Sequence, residues 1–155
     1  LLAVLLPALT PAFNIQVTDR NDDAVINGTC TLREAIRAAN TNAAVDGCHA
    51  GSSTNVDRIL LPAGIHTVDL SGNNDEDQSV EGDLDVLESV EILGVSPDFT
   101  IVDGTGAGTD DRRLHVDATG QVVTVENLTL RGGSALNAPK PFGGVVSIEA
   151  GEVHM

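Results

Sequence analysis

Asp110 and Asp111 stand beside Arg112 and Arg113, with His115 just beyond. Two carboxylates flanking a sugar bond are what glycoside hydrolysis needs, and their separation sets retention or inversion. A lyase would instead want a calcium-bridged acidic cluster and a basic proton acceptor, for which Arg112, Arg113 and Arg131 are available. The plainer reading is that adjacent aspartates in a Gly-Thr stretch form a solvated turn. Upstream, Asn73-Asn74-Asp75-Glu76-Asp77 leads on to Asp83 and Asp85, so that Asp75, Asp77, Asp83 and Asp85 could gather oxygens around Ca²⁺. The ordered ligand spacing of an EF-hand loop is missing, and so is the G-G-x-G-x-D calcium repeat, which favours a hydrated loop.

His49, His66, His115 and His154 have no metal-ligand spacing between them, and each reads as a surface or strand residue. Cys30 and Cys48 are the two cysteines. In an oxidising compartment a bridge between them would close a loop of about 19 residues and contribute on the order of 3 kcal/mol; the alternative is two buried thiols. A zinc site built on them lacks ligands, since His49 alone cannot complete a tetrahedron. Asn27-Gly28-Thr29 and Asn127-Leu128-Thr129 match the glycosylation acceptor pattern, although Asn127 falls between two strand-like runs, where its amide could bond its counterpart in a neighbouring layer. Nothing marks a nucleotide, flavin or haem site, so no cofactor is expected beyond the Ca²⁺ option.

The 155 residues suit one domain with a real core, built from Val, Leu, Ile and Ala because aromatic residues make up only 2% of the chain. Small and aliphatic residues of this kind suit stacked thin layers. The net charge of −15 makes phosphate backbones repulsive, which argues against a nucleic-acid partner. Residues 1–12, an apolar run ending in small residues and broken by Pro7 and Pro11, read as the tail of a secretory signal peptide with cleavage plausible after Ala12. That run is too short to span a membrane. A secreted or cell-surface location is therefore expected.

These side chains need a frame. In Cys30–Asn40 the Thr31 and Glu34 spacing is that of a capping box, and Leu32, Ala35, Ile36 and Ala39 fall on one helical face. Arg33 and Arg37 then face water. Residues 13–57 form an N-terminal cap of strand, helix and loop, and residues 58–155 read as runs of three to five strand residues, each ending in a turn. The runs recur after roughly thirty residues, Val90 to Val123 and Leu114 to Val145 among them. The pattern predicts an all-β parallel β-helix, three strands per coil, plugged at its start by a short capping α-helix. Gly94, Gly104, Gly132 and Gly133 would take positive φ at its corners.

The ordered series Cys30-Thr31-Leu32-Arg33-Glu34-Ala35-Ile36, Ala38-Ala39-Asn40, Leu61-Pro62-Ala63-Gly64, Gly82-Asp83-Leu84-Asp85, Ile101-Val102-Asp103-Gly104 and Val123–Gly133 resembles the CSLREA-domain family of exported right-handed parallel β-helix proteins. Thr31 stands where the family name has Ser, which preserves the cap. The resemblance covers the chain from about Phe13 onward and implies a right-handed, pectate-lyase-like solenoid at the cell envelope. It implies less about activity, because fold does not settle function. The Gly-His-Gly and Asn-Thr-Asp patterns of a polygalacturonase-like site are absent. The expected role is a structural, adhesion or glycan-binding module, with polysaccharide or a cell-surface ligand and further coils of its own chain as partners. The alternative is a carbohydrate-active enzyme, lyase or hydrolase, whose site lies on later coils.

Overall fold

The computed structural model describes residues 13–70, 78–105, 113–133 and 145–155. Residues 1–12, the acidic run 73–77 with Asp75 and Asp77, and Asp110, Asp111 and Arg112, all singled out above, lie outside the described residues.

Strand β1 (Phe13–Gln16) leads through an irregular segment to the helix α1 (Leu32–Thr41). Thr31 is extended and caps the helix: its hydroxyl accepts from the Glu34 amide, while the Glu34 carboxylate accepts from the Thr31 amide at 2.9 Å. Both are buried, and desolvation raises the Glu34 pKa against the pull of its Thr31 bonds. At the other end Asn42 adopts the left-handed conformation (φ 53°) and returns its N–H to Ala38 and Ala39, as an αL cap does. Leu32, Ala35, Ile36 and Ala39 are buried, and the Cys30–Cys48 disulfide anchors the segment from the helix start to the following loop.

The remaining elements are β2 (Asp57–Leu60), β3 (Gly64–Thr67), β4 (Leu84–Val86), β5 (Val90–Leu93), β6 (Thr100–Asp103), β7 (Leu114–Glu126), β8 (Thr129–Arg131) and β9 (Val146–His154). Every pairing between these strands is parallel. A parallel pair requires a crossover, and α1 lies in the one joining β1 to β2. One sheet has six strands in the order β1-β2-β5-β7-β4, with β9 also on β7; the other has three, β3-β6-β8.

This arrangement corrects the expected all-β, three-stranded β-helix. Among the described residues the fold is mixed α/β, with one helix and two parallel sheets, and the strands form no closed or solenoid tube. The runs Leu114–Val116 and Val122–Val125, read as separate strands, belong to one strand of 13 residues. Register shifts around Asp117 take up the irregularity that a corner would have absorbed. Because β4 and β5 both pair with β7, two of the three expected faces merge into a single sheet.

Like side chains align across the strands. Ile15, Ile59, Ile92 and Val125 are successive register partners and all are buried, forming one aliphatic column. Outward positions pair by charge instead: Arg58 with Glu91, and Arg131 with Asp103 at 2.6 Å. The Arg131 and Thr105 bonds hold the Asp103 carboxyl down to about 2. The corner glycines divide by cause. Gly132 and Gly133 have positive φ, whereas at Gly94 and Gly104 a Cβ would collide with the Asn127 carbonyl and with the Arg113 side chain.

In the smaller sheet the column His66, Val102, Leu130 places an imidazole where the core calls for an aliphatic group. His66 is 1% exposed; Nε2 lies 2.9 Å from the Pro62 carbonyl and Nδ1 has no hydrogen-bond partner. Burial, with a smaller push from Arg20, lowers its pKa below the usual histidine value. As pH falls through about 6.5 the unfolded chain takes up a proton before the folded one, so stability is present above that range and drains away below it. We expect the chemical-denaturation midpoint to drop between pH 7 and pH 5, and to drop less in His66→Val.

Candidate functional site

Strand β4 ends its sheet's order opposite β1 and is paired through Leu84 and Val86 with β7 on one side only. Its other edge would leave backbone groups bare, and a helix closes it in place of a strand. The Arg33 guanidinium donates to the Gly82 carbonyl at 2.7 Å and to the Asp83 carbonyl at 3.0 Å. Two helical turns on, the Asn40 amide donates to the Asp85 carbonyl at 2.8 Å, and its oxygen accepts from the Leu87 amide at 3.1 Å. Arg33 therefore does not face water as the helical pattern implied, but is 1% exposed. Its charge is met by Asp22 in a two-pronged contact at 2.6 and 2.9 Å, and Asp22 also accepts from the amides of Asp69 and Leu70.

The strand held in this way carries chemistry. Asp83 and Asp85 are spaced to share one side of the β4 segment, and register places His115 of β7 opposite Asp85. His115 Nδ1 lies 3.0 Å from Asp85 Oδ1, while Asp85 Oδ2 accepts from the Ser79 amide at 2.9 Å. The Ser79 hydroxyl donates to the Asp85 carbonyl and accepts from the Asp85 amide at 2.6 Å. Ligand atoms of Asp83, Asp85 and His115 all lie within 4.8 Å of one another, and the three residues are 4%, 0% and 1% exposed.

Two groups of residues that the linear chain kept apart are thus joined. Asp83 and Asp85 stood with a calcium loop and His115 with a catalytic pair; the fold brings these three together. Sequence reasoning missed Arg33 and Asn40, whose signal is a seven-residue spacing that puts both on one helix face. It also missed Ser79 and Asp22, which carry no local pattern. Buried as they are, the Asp and His side chains offer no opening for a polymer, but their donor atoms suit a proton shared between acid and imidazole, or a small cation.

Elsewhere, a polar hollow of about 260 Å³ is lined in part by Ser52, Asn55, Glu88 and Gln121. Burial raises the pKa of Glu88, and the neighbouring Asp57 adds to the effect. Asn27 sits exposed in a turn, its side-chain oxygen accepting from the Thr29 amide at 2.8 Å; Asn127 occupies an exposed left-handed position between β7 and β8. No helix among the described residues is long and apolar enough to cross a membrane.

Compared with family models, curated proteins and solved structures, the chain matches none.

Replacing Asn40 by Ala strands the Leu87 amide at the β4 edge and leaves the Asp85 carbonyl with the Ser79 hydroxyl alone. We expect a loss of about 1–3 kcal/mol in unfolding free energy and faster amide exchange at Leu87, with the aliphatic column unaffected.

Proposed function

We propose that this chain is a structural module of an exported protein, a capped start from which further parallel strands build a surface for adhesion or glycan contact. The observation that carries the reading is the asymmetry of its two flanks. At one flank α1 covers the β4 edge, and the segment around Arg20 covers β3, the Thr67 amide donating to the Arg20 carbonyl at 2.8 Å. At the other, β8 and β9 lie last in their sheets with no further strand among the described residues. Beside them opens a cavity of about 760 Å³ lined by Val125, Leu128, Leu130, Val146 and Met155.

A closed flank and an open one give a direction of growth, and further strands of the same polypeptide are the natural occupants. The disulfide accords with an oxidising, extracytoplasmic setting. The resemblance to exported CSLREA-domain proteins supports the same location, resting on the quoted motifs alone. The charge of −15 favours neutral glycans over acidic ones, because a polyanion is repelled at low ionic strength.

The test is to incubate the protein with neutral and acidic polysaccharides, measuring both retention and released sugar ends. Retention on a neutral glycan without cleavage is the expected result. Cleavage that disappears in Asp110→Asn or Asp111→Asn would replace this reading with that of a carbohydrate-active enzyme.

A further inference from the structure

We infer that Asp83, Asp85 and His115 form a binding site for a divalent transition-metal ion, zinc being the best fit, which braces β4 against β7. Three ligand-type side chains, from β4, from the residue just before it and from β7, converge with their donor atoms within 4.8 Å of one another. The third is an imidazole, 1% exposed, delivered by a different strand from the carboxylates. It is placed by the same register that pairs Leu84 with Leu114 and Val86 with Val116.

The donor set selects the ion. Ca²⁺ wants six to eight oxygens and Mg²⁺ keeps its waters, whereas one imidazole with two carboxylates is a zinc-type set with a fourth position left for water. Ligand atoms around tetrahedral zinc stand about 3.3 Å apart for bonds of about 2 Å, so the three groups must draw together by up to about 1.5 Å. They are already held: the Ser79 amide fixes Asp85, and Arg33 and Asn40 pin the carbonyls of Asp83 and Asp85. The Ser79 bond is of the outer kind that orients a ligand carboxylate and sets its basicity, while the Arg33 and Asn40 bonds fix the backbone that carries the two aspartates.

Each of the three also has other partners within the protein, so the ion enters by exchange rather than into a void. Burial shuts polymers out, and the role is to join strands. It would tie the helix-covered edge of the sheet to its longest strand, so that metal supply controls how firmly the capped flank holds.

Isothermal titration of ZnCl₂ into the full chain, pre-treated with EDTA, tests this directly, alongside thermal melts with and without the ion. We expect one zinc per chain, a rise in melting temperature, and affinity at least tenfold lower in Asp83→Asn and His115→Gln. If circular dichroism shows that His115→Gln does not fold, Asp83→Asn decides, because that change keeps the shape of the side chain. Absence of binding overturns the inference. So does binding unchanged in Asp83→Asn, which would place the ion on exposed His49 or His154, and so does CaCl₂ binding more tightly than ZnCl₂.

Discussion

An edge of sheet that meets a helix instead of another strand has to find hydrogen bonds from side chains, and here Arg33, Asn40 and Ser79 supply them. Arg33 and Asn40 reach from one face of α1 to the row of backbone groups running from Gly82 to Leu87. A guanidinium buried in this way must be neutralised, and Asp22 does so while also accepting from two amides of the segment after β3. Four stretches of chain meet at one ion pair. Removing one partner of such a pair leaves a bare buried charge, at a cost of about 3–5 kcal/mol, more than any exposed pair on the sheet surface contributes.

The rest of the architecture follows from that closure. With β4 held, β7 can run alongside both β4 and β5, and the aliphatic column from Ile15 to Val125 stacks without interruption. Burial of that column and of the wider aliphatic core stabilises the fold by about 1.5–3 kcal/mol per side chain. It is indifferent to direction, however. Direction comes from the polar contacts at the helix and the Arg20 segment, which close one flank and leave β8 and β9 at the other. The same contacts hold the β4 segment that carries Asp83 and Asp85 against His115.

Much of this was legible in the linear chain, and what was hidden has physical causes. The helix and its capping box rest on contacts within four residues, which local spacing reveals. The parallel offsets were visible in part: Val90 does pair with Val123, whereas Leu114 pairs with Val146, one residue beyond the expected Val145. The number of sheets was not, because whether a chain turns a corner or carries on through a bulge at Asp117 depends on the neighbouring strands rather than on the residue itself. Arg33 was misplaced for a related reason: helical periodicity assigns charge to water, and only the distant Asp22 and the carbonyls near Gly82 make burial favourable. The meeting of Asp85 and His115 rests on an offset of the same thirty-residue kind, which the sequence reading did not extend to β4 and β7.

A double-mutant cycle between Arg33 and Asp22 examines the closure itself, using Arg33→Met, Asp22→Asn and the pair, with unfolding free energy as the readout. The account predicts that each single change costs about 3 kcal/mol or more and that the double change costs clearly less than their sum, since the second removes a charge the first had already stranded. Additive effects, or single changes costing under about 1 kcal/mol as at an exposed pair, would contradict it.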